Sequence, residues 1–299
     1  MHTARQMTMT APEHPHPLDH LVLPTADLDV ARERLASLGF TVAPPGVHPF
    51  GTENCCVYLS DGTFLEPLAV ADASVAGEAI AGGNVFVGRD RAYRDRLGEE
   101  GFSAVVFGTS DADADHARFI EAGVSAGDRL DFSRPFTDAS GKSDTASFRL
   151  AFAGSSDAPD AFLFACERVN APSVDRSALQ AHANGVERIV EVVAISDEPS
   201  MHGRLIRLAA GASAGANRLV LPNATIALLD RTAFEARFGV PFGQPSTLRF
   251  AAIVFSVRDL GHVKPRLAAH GIEHHLHDGH IVVPQAPGQG AVFVFREIA

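Results

Sequence analysis

The sequence predicts an α+β protein assembled from four similar modules, and two observations predict it. The first is the stretch LDHLVLPTADLDVARERLASLGF at residues 18–40. Its apolar, strand-like opening gives way to helical spacing at Leu28, Ala31, Leu35 and Leu38. The second is recurrence: FSAVVFGTSDADADHARFIEAGV at 102–124 and FAAIVFSVRDLGHVKPRLAAHGI at 250–272 repeat the pattern.

In each copy an aspartate stands before the helix and a glycine after it. Asp27 to Gly39, Asp111 to Gly123 and Asp259 to Gly271 are each twelve residues apart. The aspartate caps free backbone N–H groups, about three turns follow, and the glycine supplies a left-handed end. A degraded fourth copy starts near Val186, where ERIVEVVAIS leads to Asp197 and a helical pattern over His202–Ala210 that ends near Gly211.

Short β-rich pieces follow every helix: CCVYLSDGTFLEPLA, TASFRLAF with AFLFACE, RLVLPNATIALL, and HIVVPQ with AVFVFREI. Each module is therefore βαβββ. The units fall near 18–70, 101–168, 184–239 and 246–299, and pairs of them give domains at 18–168 and 184–299. The Ala- and Gly-rich stretch Ala69–Gly101 reads as a joint within the first pair, and Asn170–Ala183 as the joint between halves.

Residues 1–17 are polar and proline-rich with no apolar h-region, which predicts a flexible tail and not a signal peptide. His14 and His16, each followed by a proline, read as part of that solvated tail. No apolar run approaches the roughly 20 residues that span a bilayer, so no membrane span is expected. Three cysteines, two of them neighbours at Cys55 and Cys56, give no disulfide framework; the expected location is the cytoplasm. A net charge of −11 excludes the basic surface that a nucleic-acid partner needs. A small-molecule substrate is the expected partner, with self-association into a homodimer left open.

A βαβββ unit used in pairs, with His20 in its first strand and Glu66 in its last, resembles the vicinal oxygen chelate superfamily, also called glyoxalase/bleomycin-resistance/dioxygenase. LDHLVL, GVHPFGTENCCVYL and DGTFLEPLA resemble the glyoxalase-like subgroup, and FLFACE followed by HANGV at 182–186 is similar to its longer members. Four units in one chain resemble type I extradiol dioxygenases. The resemblance implies that paired units form curved, barrel-like sheets closing on a divalent metal (Fe, Mn, Zn or Ni). His20 and Glu66 are then ligands and Glu167 or Cys166 a candidate third, with Glu167 preferred. Residue chemistry agrees, because a carboxylate on the apolar face shared by Phe64, Glu66 and Leu68 needs an ion or a partner. A core histidine and a carboxylate paired with an arginine such as Arg149 is the alternative.

The pattern is incomplete elsewhere. Ala104 stands where the second unit should repeat His20, and the matching positions of the second half read Glu191, one residue out of register, and Ala252. Glu297 offers a carboxylate there without histidines, which disfavours extradiol ring cleavage. His270, His274, His275, His277 and His280 fall on a helix end, a turn and a strand start and read mostly as surface.

His48 lies in the loop GVHPFGTEN with Thr52 and Asn54, and all three are expected to border the ligand cavity, His48 as a general acid or base. Arg134 and Arg149 are candidates to receive a substrate carboxylate. His182 and Asn184 read equally as a turn or a pocket edge. The expected function is a metal-dependent lyase or isomerase of a small oxygenated molecule, with His48 and Glu66 catalytic. The competing class is a metal-free binding protein of the bleomycin-resistance kind.

Overall fold

The computed structural model describes residues 15–137, 143–172, 174–212, 217–243 and 247–298. The first half runs β1 (Leu18–Pro24), α1 (Leu28–Ser37), β2 (Gly46–Val47), β3 (Thr52–Asn54), β4 (Val57–Tyr58), β5 (Phe64–Val70), α2 (Ala73–Ala81), α3 (Val85–Leu97), β6 (Ala104–Thr109), α4 (Ala112–Glu121), β7 (Leu130–Thr137), β8 (Ser143–Ala153) and β9 (Phe162–Asn170). The second half runs β10 (Val186–Ile195), α5 (Pro199–Ala209), β11 (Arg218–Val220), β12 (Thr225–Leu229), α6 (Arg231–Phe238), β13 (Arg249–Val257), α7 (Leu260–Ala269), β14 (His275–His277), β15 (His280–Val283) and β16 (Val292–Glu297).

The strands form two sheets, ordered β2-β3-β5-β1-β6-β9-β8-β7, with β4 also on β5, and β11-β12-β10-β13-β16-β15-β14. In every unit the last strand lies parallel to the first: β5 on β1, β9 on β6, β12 on β10 and β16 on β13. The two units of each sheet meet through their first strands, antiparallel, with His20 opposite Val106 and Val22 opposite Ala104. That reciprocal register makes His20 the counterpart of Ala104. It also makes Glu66, the neighbour of Val22, the counterpart of Phe164, the neighbour of Val106.

The repeated aspartates do what their spacing predicts. Asp27 accepts from the Asp29 and Val30 N–H groups, Asp111 from Ala114 and Asp259 from Gly261. Gly39, Gly123 and Gly271 follow with φ of 94°, 69° and 63°, values that cost glycine nothing. In the degraded copy the cap is Glu198, not Asp197, with Pro199 in the first turn. β3 and β4 are one strand in a single register on β5, interrupted opposite Pro67, which has no N–H for the ladder.

Two expectations need correction. Ala69–Gly101 is not a loose joint: it finishes β5 and then forms α2 and α3, capped by Asp72 and Asn84. The third unit has two strands after its helix among the described residues, not three, and then α6. Of the expected tail, residues 1–14 lie outside the described residues, while His16 is packed against Asp115 at 2.9 Å.

The helix-side faces of both sheets share one core, with Leu21, Val105 and Leu163 from the first and Ile189, Ile253 and Phe293 from the second. Phe40 sits at the joint, 5.3 Å from Phe255 and 6.0 Å from Phe293. The opposite faces hold separate clusters. In the first sheet Val22, Leu68, Val106 and Phe164 meet Phe86 of α3; in the second Val193, Val254 and Val294 meet Phe234 and Phe238 of α6. No helix of the described residues is long and apolar enough to cross a membrane.

Candidate functional site

The inner face of the first sheet carries a buried polar cluster. His20 comes from β1 and Glu66 from β5, side by side because those strands are parallel neighbours. The loop before β3 adds His48, and β3 itself adds Thr52 and Asn54; all five are at most 7% exposed. His20 Nε2 lies 3.3 Å from Glu66 Oε2, and His48 Nε2 lies 3.7 Å from Glu66 Oε1. Asn54 Nδ2 donates to Glu66 Oε1 at 2.6 Å and points at His48 Nε2 at 3.4 Å, while His48 Nδ1 meets Thr52 Oγ1 at 2.9 Å. With Asn54 donating, His48 carries its proton on Nδ1 and its lone pair on Nε2.

A residue the sequence reading missed completes the cluster. Leu18 faces Phe107 and His20 faces Val106, so Asp19 is an extra residue, a β-bulge in β1. The bulge brings its carboxylate to His20, with Oδ2 2.8 Å from Nδ1, and to Arg168 Nη2 at 2.6 Å. Period-two reading of LDHLVL turns Asp19 away from His20, so no sequence signal marks it.

The walls are aromatic. Phe64 stacks on His20 at 4.4 Å and Phe50 on His48 at 5.1 Å, with Phe86 and Phe132 edge-on to His48 and Phe164 edge-on to His20. Arg134 reaches in from β7 over Gly46, where a Cβ would collide with its guanidinium and come within 2.7 Å of Asn54 Oδ1.

The two histidines are driven apart. Burial works against charge on His20, but hydrogen bonds to Asp19 and Glu66, and their charges, hold it above the usual histidine value. Burial pushes His48 down to about 4, helped by the Arg134 and His20 charges and opposed by Glu66. Burial would raise Glu66, yet the hydrogen bonds and charges of His20, His48 and Asn54 bring it to about 2.

A pH prediction follows. His48 is depressed in the folded state, so its contribution to stability is complete above about pH 6.5 and is lost as pH falls toward 4, by about 3 kcal/mol at most. His20 is raised and acts in the opposite sense, stabilising below 6.5. Urea unfolding of His48→Asn between pH 4 and 6.5 should show a shallower acid loss than the parent, and equal slopes would contradict it.

Other candidates lie elsewhere. Glu167 faces the helix side, accepts from the Ala112 N–H at 3.0 Å and lies 3.9 Å from Arg149. Arg149 is on that same outer face with Asp113 and Asp131, so the structure brings neither into the cluster. The cause is strand alternation: Cys166 shares the inner face with Phe164, and Glu167 therefore does not. His182 accepts from the Thr41 N–H and Asn184 donates to Leu38 O, joining the halves as structural groups. His275 and His277 bond the last carbonyls of α6, at Phe238 and Ala236, rather than facing solvent as free surface groups.

In the second half a bulge between Ile189 and Glu191 restores the register, and Glu191 takes the place of His20, opposite Val254 and Thr225. It is buried and paired with Arg237 at 2.6 Å. The remaining counterparts are Ala227, Ala252 and Val294, and Glu297 only caps α7 through the Leu260 N–H.

A protein-held metal normally needs three or four ligands. His20 and Glu66 provide two, but their counterparts are Ala104 and Phe164, and Glu167 faces away. Among the described residues no three His, Cys, Asp or Glu side chains gather as a metal site. These two donors alone leave such a set incomplete.

Paired βαβββ units with a histidine and a glutamate on the inner face of a curved sheet define a vicinal oxygen chelate protein. The chain belongs to the glyoxalase-like domain family, whose match covers residues 18–208. In structure it is similar to a hypothetical protein from Staphylococcus aureus, at 15% identity over 94% of this chain and 99% of that one, with a TM-score of 0.62. It is also similar to a variant of 4-hydroxymandelate synthase from Streptomyces coelicolor, at 12% identity over 95% and 93% of the chains, with a TM-score of 0.59. At these identities the likeness concerns the fold. No curated protein matches the chain.

Proposed function

We propose that the first half is an acid–base enzyme of the lyase or isomerase type, acting on a small oxygenated molecule at the inner face of its sheet. The observation that carries this is the separation of two histidines across one carboxylate, since environments that push paired titratable groups apart assign the acid and the base. Neutral His48 takes a proton from a carbon next to a carbonyl through Nε2. Charged His20, with Asn54, donates to the carbonyl oxygen as it gains charge, the role an oxyanion hole serves. Ionised Glu66 keeps His20 charged, and the phenylalanine walls exclude water and hold the apolar body of the substrate.

Metal dependence, with a divalent Fe, Mn, Zn or Ni ion on His20 and Glu66, is the second reading. Asp19 supports it by holding Nδ1 of His20 and leaving Nε2 toward Glu66, as in metal-bound imidazoles. Proton exchange in D2O separates the readings, with hydroxyacetone and 4-oxopentanoate as probes. Deuterium incorporation that survives chelator treatment is expected. Loss with chelator and recovery with one equivalent of a divalent ion would establish the second reading, and ligand binding without exchange would establish a binding protein.

A further inference from the structure

The helix α3 lies over the inner face and brings Arg89 to it. The Arg89 guanidinium sits 5.2 Å above the Phe162 ring, and its Nη2 is buried without a hydrogen-bond partner. No carboxylate of the described residues pairs with it. Gly154 makes the room, because a Cβ there would lie 2.9 Å from Nη2. A small cavity of about 10 Å³ borders Arg89 and is lined on the sheet side by Val22, Leu68 and Ala104. At that volume it has room for about one water, and a ligand end enters only as the lining shifts.

Val22, which lines the cavity, relates it to the cluster. Val22 is two residues from His20 on the same face and is the direct neighbour of Glu66 on one side and Ala104 on the other. Two strand residues span about 7 Å. Nη2 is the buried, unpartnered end of a part-exposed side chain, and a carboxylate is the group that matches a guanidinium fork.

We infer that Arg89 receives the terminal carboxylate of the substrate, which is therefore an oxo acid whose carbonyl lies about two to four carbons from that carboxylate. Only the placement of the reacting end rests on the acid–base reading. Asp90 also borders the cavity, but its charge is already met by Arg94 at 2.7 Å. Asp160, which also borders the cavity, is likewise paired, with Arg96 at 2.8 Å.

The test is calorimetric titration with 4-oxopentanoate, with sodium chloride as the ionic-strength control, on the full chain. The parent should bind at least about tenfold more tightly than Arg89→Met, the loss expected for a charged hydrogen bond. Arg89→Met should melt no lower than the parent, since it removes a buried nitrogen that has no partner. Gly154→Ala, which crowds Nη2, should also weaken binding. Equal affinity in parent and Arg89→Met would overturn the proposal, and so would a clear drop in melting temperature, which would make Arg89 structural. His48→Asn should bind normally and fail to exchange deuterium. Arg89-dependent binding without exchange in the parent would therefore sink the acid–base reading alone.

Discussion

Replacing Arg237 by methionine is expected to lower the stability of the protein by about 3 kcal/mol, while Glu191→Leu combined with Arg237→Met restores most of it. Glu191 is 2% exposed and surrounded by the apolar cluster of Val193, Val254 and Phe234. Its carboxylate is held by both terminal nitrogens of Arg237, at 2.6 and 3.2 Å. Removing one partner of a buried pair leaves a charge that costs about 3–5 kcal/mol, and the part-exposed Arg237 side chain puts the loss at the lower end. Removing both leaves an apolar pair, which buried sites tolerate at little cost. Denaturant midpoints at pH 7 measure this. A single variant within about 1 kcal/mol of the parent would mean that water reaches Glu191 and that the pair does not hold the second inner face together.

This pair explains why the two halves differ. At one position the first sheet places His20, whose charge is met by Glu66 and by Asp19, itself paired with Arg168, and the second places Glu191, closed by a single arginine. Around the second position the counterparts of Glu66 and Ala104 are alanines, and Phe234 and Phe238 of α6 pack the space above them. The second inner face is a core. The first is a polar site with aromatic walls, although α3 covers it in the same way as α6 covers its own sheet.

Much of this was legible in the sequence, and the parts that were not share a cause. The modules could be read because cap, helix and glycine recur at a fixed interval, a local property of the chain. His20, His48, Thr52, Asn54 and Glu66 could be placed together because strand alternation and a short loop fix their faces. Asp19 could not, and Glu191 read one residue out of register, since a bulge shifts register by one residue and leaves no mark in hydrophobic alternation. Glu167 was misplaced for the related reason that the register of β9 is set by its pairing with β6, through partners such as Thr109, and not by its own pattern. Arg89 and Phe86 lay in a segment read as a joint, though Asn84 as a cap and the spacing of Phe86, Val87 and Tyr93 mark a helix there.

His48→Asn should slow proton exchange by about 10²–10⁴-fold, the usual contribution of a placed base, without weakening the binding of substrate in proportion. Asparagine still reaches Thr52 but offers no basic nitrogen. The parent should show a bell-shaped dependence on pH. Its acid limb belongs to His48, which is protonated only as pH falls toward about 4, and its alkaline limb to His20, which loses its proton above the usual histidine range. Both signs follow from the neighbours: burial and Arg134 oppose charge on His48, and Asp19 and Glu66 favour it on His20. Asp19→Asn removes one of those supports and should move the alkaline limb to lower pH while leaving the acid limb in place. Exchange rates measured by proton NMR from pH 3.5 to 9 decide the matter. A His48→Asn variant within about threefold of the parent, or a profile whose alkaline limb ignores Asp19, would remove His48 and His20 from the roles assigned to them.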